Sequence, residues 1–497
     1  MSDSDSEGED LELLAYKKRK REEEEDEEEE QPSRPHASSH DDNNAMVLDN
    51  ATSLREEAMR WQAKVNGSPF DVTIHLSYIE ALRRLCTSAD ATTNEEQLAK
   101  DRATLQMARK DASRLFPMPP DFYLAWGKDL ALTQRESVVP ILQQGLAEFY
   151  AFALWQEMIR FVIEQKRQHP ADYKAEEVTQ LCQTALTATK WDMKAHHQLW
   201  PLFLNWLEDP LAGATPATRE AAYRRYATSP HAHLKEALAL WQSKSNVSLA
   251  EENAKAVTEY TAQLALTETL LGKPVEEAIL LLERESAPKK ASVPIYKFLY
   301  ELLVAEHRTN GDVWTSYLLF LESRQRQLDV MQSTIDRALR NASWYPILWV
   351  HAIRHLVCSF SYEKKQTHSL YDQDYFQRGE AALDELMARF MTAGFSHRDS
   401  FLPVFLAHLD ALRRCFPPEQ WAEEGVQQHL RQTVQKYDSY IEGYFGEDPQ
   451  YRLKAYLMHL EAGLFQQVGH GRQIYEKLLQ RHRDEAAVWL EAIHFEK

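Results

Sequence analysis

Glycine is scarce in this 497-residue chain, which contains 15 of them. That share, about 3%, is less than half of the ~7% found in average proteins. Tight turns, phosphate-binding loops and β-hairpins all depend on glycine. The composition therefore disfavours dinucleotide-binding folds, P-loop enzymes and β-sandwiches.

Cysteines and long apolar runs are also rare. Cys86, Cys182, Cys358 and Cys415 lie far apart, with no Cys-x2-Cys or Cys/His pairing. This spacing fits neither a disulfide framework nor a zinc site, so we expect reduced thiols and no bound metal or cofactor. No window of about 20 apolar residues exists, so no membrane span is predicted. The acidic start lacks the apolar core of a secretory signal peptide.

Charge is concentrated in the first 50 residues, where 18 acids against six bases give a net charge of −12. The other 447 residues carry 58 acids and 51 bases, a net charge of −7. Because a segment of this composition buries too little apolar surface to offset chain entropy, residues 1–53 are predicted to form a disordered acidic tail. The acidic run could attract histones, although solvated charge is the simpler interpretation.

One unbroken basic run interrupts this tail, and nuclear import receptors bind runs of this composition. Its residues are Lys17, Lys18, Arg19, Lys20 and Arg21. The run predicts an import receptor as a partner and the nucleus as the location. The alternative is that the run pairs within the chain with the acids from Glu22 to Glu30.

From about residue 54 onward, apolar residues recur at three- and four-residue spacing, which is typical of amphipathic helices. One helical motif repeats position for position, as Trp314-x2-Tyr317-x2-Phe320-x-Glu322 and Trp200-x2-Phe203-x2-Trp206-x-Glu208. Looser copies begin at Trp155, Trp349 and Trp489.

A second helix type alternates with the first and places an acid 13 residues before a tryptophan. The pairs are Glu301 with Trp314, Asp336 with Trp349, and Glu476 (which follows Tyr475) with Trp489. Trp314 and Trp349 are 35 residues apart, close to the ~34-residue repeat of tetratricopeptide arrays.

These repeats predict an all-α, tetratricopeptide-like α-solenoid superhelix, because one helical pair cannot bury its aromatic stripe without neighbours. We expect the acids to bond to a neighbouring helix, and we interpret the aromatics as core residues rather than ligand-binding ones. The predicted core residues are Trp155, Trp200, Trp314, Tyr317, Phe320, Trp349, Tyr475 and Trp489. Breaks at 243–249 and 273–274 divide the array into predicted subdomains 54–270 and 275–497.

No motif predicts an enzyme. His351-x3-His355 has a metal-compatible spacing but lacks the glutamate of a zinc-protease motif. Gly272-Lys273-Pro274 lacks the upstream glycine and the hydroxyl residue of a P-loop. We therefore expect no catalytic residue.

The alternating motifs resemble the half-a-tetratricopeptide (HAT) repeat, which occurs in RNA-processing proteins. Within that class, the chain resembles the family of the squamous cell carcinoma antigen recognised by T-cells over roughly residues 70–497. Segments that carry this resemblance are 106–109, 115–117, Phe122, Trp126, Arg340, Asn341, Trp344, 471–476 and 489–491.

The resemblance implies a nuclear protein-interaction scaffold in U4/U6 snRNP assembly or recycling during pre-mRNA splicing. It also implies docking of snRNP proteins and a ubiquitin-specific protease, and a homodimer through the C-terminal HAT subdomain. The family carries RNA-recognition motifs, and nothing in these 497 residues resembles one. We therefore expect only indirect RNA contact and, because the sequence stops after a first helix, a truncated C-terminal subdomain.

Two other functions fit the same patterns. One is a HAT scaffold in mRNA 3′-end cleavage or ribosomal RNA processing. The other is a histone chaperone with an acidic tail.

Overall fold

The computed structural model describes residues 41–87, 95–288, 291–324, 327–367, 373–416 and 418–496. Side chains are described within these ranges except at 41–51, 361–376 and 418. The basic run from Lys17 to Arg21 and most of the acidic tail lie outside the described residues.

The described residues are helical, with no β-strand among them. Helices of the first half are α1 (Asp41–Gly67), α2 (Val72–Thr87), α3 (Glu95–Leu115), α4 (Pro120–Ala131), α5 (Val138–Glu148), α6 (Phe152–Gln168), α7 (Ala175–Ala188), α8 (Leu199–Glu208), α9 (Pro216–Thr228), α10 (Leu234–Lys244) and α11 (Ala250–Leu271). Helices of the second half are α12 (Val275–Ser286), α13 (Val293–Glu306), α14 (Gly311–Arg324), α15 (Leu328–Asn341), α16 (Pro346–Thr367), α17 (Gln373–Met391), α18 (Arg398–Cys415), α19 (Glu424–Phe445), α20 (Arg452–His459), α21 (Val468–Arg481) and α22 (Ala486–Glu496).

Local sequence explains where these helices begin and which face they bury. The Asn310 side chain accepts hydrogen bonds from the backbone N–H groups of Asp312 and Val313, at 2.9 and 3.3 Å, and so caps α14. Proline in the first turn starts α4, α9 and α13. Along α15, buried Met331, Ile335 and Ala338 recur at helical spacing and form one apolar stripe.

Helix α1 corrects one expectation. Residues 41–53 were predicted to belong to the disordered tail, but they lie in a helix that continues to Gly67. The average composition of the first 50 residues concealed the helix-favouring stretch at 45–48, which reads Ala-Met-Val-Leu.

The chain divides into two compact units, Met1–Ala112 and Ser113–Lys497. In the first unit, α1 packs against α2 and buries Ala58, Tyr78 and Leu82. In the second unit, each helix packs against the next one in sequence, and many also pack against the next but one: α4 with α6, α6 with α8, α12 with α14, α14 with α16, α16 with α18, α18 with α20 and α20 with α22. Helix packing that follows the order of the chain in this way is typical of an α-solenoid.

Two large hydrophobic cores fill the second unit. One runs from Ile159 to Leu249, and the other joins Phe149 and Leu270 to residues as far along as Leu453. Both predicted breaks, 243–249 and 273–274, fall at ends of helices around α11. The boundary between subdomains 54–270 and 275–497 stays a prediction, since the compact units separate at Ala112 instead.

Candidate functional site

The repeated tryptophans share a hydrogen bond that their spacing alone did not reveal. The indole Nε1 of Trp314 donates to the Arg308 carbonyl at 2.7 Å, and that of Trp349 donates to the Ser343 carbonyl at 2.8 Å. Trp489 repeats the contact at 2.8 Å, and in all three cases the acceptor lies six residues earlier. Each first helix is thus fastened to the turn that precedes it.

The predicted core residues differ in burial. Trp200, Trp314, Tyr317, Phe320 and Trp349 are buried. Trp155 and Tyr475 are only partly buried, and Trp489 is 49% exposed. Trp489 therefore departs from the core interpretation, because its helix α22 packs mainly against α20 and α21 and leaves this indole half exposed.

A charged network links three successive helices at the centre of the larger core. Arg337 of α15 donates to both carboxylate oxygens of Glu301 on α13, at 2.9 and 2.7 Å. The hydroxyl of Tyr317 on α14 donates to the same carboxylate at 2.8 Å. Glu301 thus makes the interhelical contact expected of the repeat acids.

Electrostatics keep this network ionised. Burial acts to raise the pKa of Glu301, but the Arg337 guanidinium and the Tyr317 hydroxyl outweigh burial, and the pKa is lowered. Burial and the neighbouring carboxylate raise the pKa of Tyr317 far above its usual range, so the phenol stays protonated and donates. The three side chains satisfy one another's hydrogen-bonding groups, which indicates a structural role in helix packing.

Arginines of α15 also hold a segment almost 200 residues away in sequence. The Arg337 Nε donates to the Glu148 carbonyl at 2.8 Å. Arg340 bonds the carbonyls of Ser113 and Phe116 and lies 3.3 Å from the Glu148 carboxylate. Sequence analysis missed this contact because no local spacing connects helix α15 with residues 113–148.

Histidines form a second buried cluster, around Trp200. The Trp200 indole donates to His196 Nε2 at 3.2 Å, so His196 carries its proton on Nδ1 and donates to Thr189 at 2.9 Å. His231 lies nearby and bonds the Tyr226 carbonyl at 2.8 Å. Burial lowers the pKa of His196 to about 3 and that of His231 to about 4.

The two histidines singled out by sequence differ in their surroundings. His351 Nδ1 lies 2.8 Å from the Glu322 carboxylate, and burial lowers the pKa of His355. Within the described ranges, no group of three or more potential ligands is suited to a metal ion. The helices in that part of the chain include none that is long and apolar enough to cross a membrane.

Side chains from α14, α15, α16 and α18 enclose a surface groove of about 890 Å³. Apolar side chains, including Met331, Ile353 and Val357, line part of it. Charged side chains from α14, α16 and α18 also line it, among them Glu322, Arg354, Asp410 and Arg414. An apolar floor with a polar rim is the arrangement found in many protein–protein interfaces.

The sequence of this chain is similar to those of known proteins. No family model matches the chain. The protein from Homo sapiens named spliceosome associated factor 3, U4/U6 recycling protein, is 22% identical over 474 residues, which are 89% of this chain. The chain is similar to spliceosome associated factor 3. The counterparts from Pongo abelii and Danio rerio are also 22% identical, over 89% of this chain.

This similarity covers less than half of each relative. The matched region is 44% of the human and orangutan proteins and 46% of the zebrafish protein, so the chain spans about half the length of the curated relatives it matches. Among solved structures, CstF-77 is 14% identical, with 75% of this chain and 76% of that one covered at a TM-score of 0.41. That score is too low to support an argument about fold, which rests instead on the helix order and contacts above.

Proposed function

We propose that this chain is a protein-interaction scaffold in the nucleus that serves U4/U6 snRNP assembly or recycling in pre-mRNA splicing. The observation that carries the proposal is the similarity to spliceosome associated factor 3 over 89% of the chain. The relative is named a U4/U6 recycling protein. The activity of the whole relative is extended here to a chain that spans 44% of it.

The hydrogen bonds between helices support the scaffold proposal. The buried network of Glu301, Tyr317 and Arg337 and the bonds of Arg340 connect helices to one another. Such a stack presents long rows of exposed side chains on fixed helices, and partner proteins bind extended surfaces of this kind. The proposed mechanism is therefore geometric, because the array holds several partners at fixed relative positions.

Co-purification tests this proposal against its alternatives. We expect the tagged chain to enrich U4/U6 snRNP proteins over a control in which Trp314→Ala loosens the repeats. Enrichment of cleavage or ribosomal RNA processing factors would favour the second scaffold function. Enrichment of histones alone would favour the chaperone. Either of these results without snRNP proteins contradicts the proposal.

Nuclear import is proposed to depend on the run from Lys17 to Arg21, which lies outside the described residues. Replacement of its five bases by neutral residues should leave the 57.7 kDa chain mainly cytoplasmic. Neutralisation of five exposed bases of the body is a control with the same loss of positive charge, at Lys128, Arg224, Lys235, Lys255 and Lys477. Unchanged nuclear accumulation of the run variant would show that a partner or another segment directs import.

Direct RNA contact is proposed to be weak, a ubiquitin-specific protease is a proposed partner, and a homodimer is proposed to form through the C-terminal repeats. The net charge of −7 beyond residue 50 disfavours phosphate binding. Nanomolar binding of U6 RNA at physiological salt would contradict this expectation. Sedimentation equilibrium of the chain measures whether it dimerises, and a concentration-independent monomer would exclude the homodimer.

A further inference from the structure

The floor of the groove between α14, α15, α16 and α18 includes small side chains from α18. Ala407 and Ala411 lie one turn apart on α18, and both line the groove. Ala407 is partly exposed, and its small side chain leaves room for the backbone of another helix to approach. Leu328 on the opposite wall is also partly exposed and adds apolar surface.

The size of the groove suits a short helix. The groove crosses from α14 to α18 over two interhelical spacings, each of about 8–10 Å. That distance corresponds to roughly 11–13 residues of α-helix at 1.5 Å per residue. Its volume of about 890 Å³ also exceeds what side-chain packing alone leaves open.

The charged side chains along the rim of the groove determine which kind of helix can bind there. Asp410 is bonded by two guanidiniums, at 2.6 Å from Arg413 and 2.7 Å from Arg414. Glu322 is held by His351 at 2.8 Å. Arg354 is exposed and forms no ion pair with the residues that the structure describes. The groove is thus lined by two carboxylates and two guanidiniums, and because Glu322 and Asp410 are already bonded, Arg354 is the lining guanidinium available for an incoming carboxylate.

We propose that this groove binds an acidic amphipathic helix of a partner protein. The apolar stripe of that helix lies on the floor formed by Leu328, Val357 and Ala407, and one of its carboxylates pairs with Arg354. This proposal rests on the scaffold function and specifies one partner class for it. A basic helix is disfavoured, because its cations would face Arg354 and Arg414, and because Asp410 is already bonded by two guanidiniums.

Selection from a library of helical 14-residue peptides tests the proposal on the full chain. We expect the selected peptides to share apolar residues at i, i+3, i+4 and i+7 and an Asp or Glu beside that stripe. The Ala407→Trp variant should bind them at least tenfold more weakly, because the indole fills the floor. Val357→Asp is a second variant, and circular dichroism establishes that each variant keeps its helical content.

Charge exchange identifies the pairing residue. Arg354→Glu should weaken binding of the selected acidic peptides by about tenfold, and a peptide with Lys at the acidic position should restore it. The control Arg224→Glu, at an exposed position of α9, should leave peptide binding unchanged. Selected peptides that bind Arg354→Glu and Ala407→Trp as well as the parent chain would overturn the proposal, as would a selection that yields basic helices or none.

Cys358 reports occupancy directly, since this exposed thiol lines the groove. A bound peptide should slow its alkylation, whereas Cys358 in the peptide-free chain should react at a rate independent of protein concentration. Protection that appears on concentration alone would mean that a second copy fills the groove, which contradicts the proposal. Peptide binding is scored without snRNP components, so its failure is distinguishable from failure of the snRNP function.

Discussion

The repeats of Trp314 and Trp489 contain the same local motif in different surroundings. Both indoles donate to a carbonyl six residues earlier, at 2.7 and 2.8 Å. Trp314 is fully buried, whereas Trp489 is 49% exposed. The motif therefore determines the local hydrogen bond, and the neighbouring helices determine how much apolar surface is buried.

Their charged networks show the same contrast. Glu301, Tyr317 and Arg337 come from three helices and pair inside the core. Glu496 accepts from Arg472 at 2.8 Å and from Tyr475 at 2.6 Å, but these groups lie on the surface of α21 and α22. Identical chemistry thus stabilises the first site far more, because solvent screens the second.

Removal of each tryptophan should give the largest difference between the two repeats. We expect Trp314→Ala to lower the free energy of unfolding by about 3–5 kcal/mol, since it removes a fully buried aromatic. Trp489→Ala should cost roughly 1 kcal/mol, because the indole already contacts water. Denaturant unfolding of both variants measures this, and equal losses would mean that the two sites are equally buried in solution.

The second-largest difference in stability is expected between the two charged networks. Glu301→Gln leaves the Arg337 guanidinium without its carboxylate, and we expect a loss of about 2–3 kcal/mol, below the 3–5 typical of fully buried pairs because both side chains are 16% exposed. Glu496→Gln is the matched control on the surface and should leave stability within experimental error. A loss from Glu301→Gln no larger than that of the control would show that the network contributes nothing net.

Low pH should destabilise the Trp200 repeat more than the Trp314 repeat, because Trp200 donates to a histidine and Trp314 to a carbonyl. The pKa of His196 is about 3 and that of His231 about 4 in the folded chain, against an ordinary 6.5. The unfolded chain therefore binds more protons, and stability is lost as the pH falls below 6.5. At pH 5 this loss is about 2 kcal/mol per histidine.

Hydrogen exchange at pH 7 and pH 5, corrected for intrinsic rates, measures that difference. Helices α7 to α10 should lose protection first. The Trp314 repeat should keep its protection until the pH falls below the ordinary 4.5 of Glu301, whose pKa is lowered by its partners. Replacement of both His196 and His231 by Gln should remove the pH dependence of α7 to α10, and equal loss in both regions would contradict the assignment.

Sequence spacing predicted the repeats and the alternation of helix types, because each depends on residues within about 35 positions. It also predicted the burial of Trp314 and Trp349, because neighbouring helices cover both of these repeats. It did not predict that Arg340 would bond Ser113 and Phe116, since that contact joins segments over 220 residues apart. It also placed Trp489 in the core, because the aromatic pattern is the same whether or not a neighbour covers it. Burial is a property of the stack, which no single repeat contains.

The smallest expected difference in stability between the two repeats concerns one glycine in each. A Cβ added to Gly311, at the start of α14, would lie 2.2 Å from Cγ of Tyr345, and one added to Gly471, inside α21, would lie 2.6 Å from the Phe495 ring. Gly311→Ala should therefore cost about 1–2 kcal/mol, because the Tyr345 hydroxyl is bonded to Asp312 and resists displacement.

Gly471→Ala should be nearly neutral. Phe495 belongs to the half-exposed helix α22 and can move outward, and alanine gains about 0.5–1 kcal/mol over glycine inside a helix. Thermal unfolding of the two variants compares these outcomes. If Gly471→Ala destabilised the chain as much as Gly311→Ala, then Phe495 would be held as firmly as Tyr345, and the contrast between the Trp314 and Trp489 repeats would not extend to the packing of their glycines.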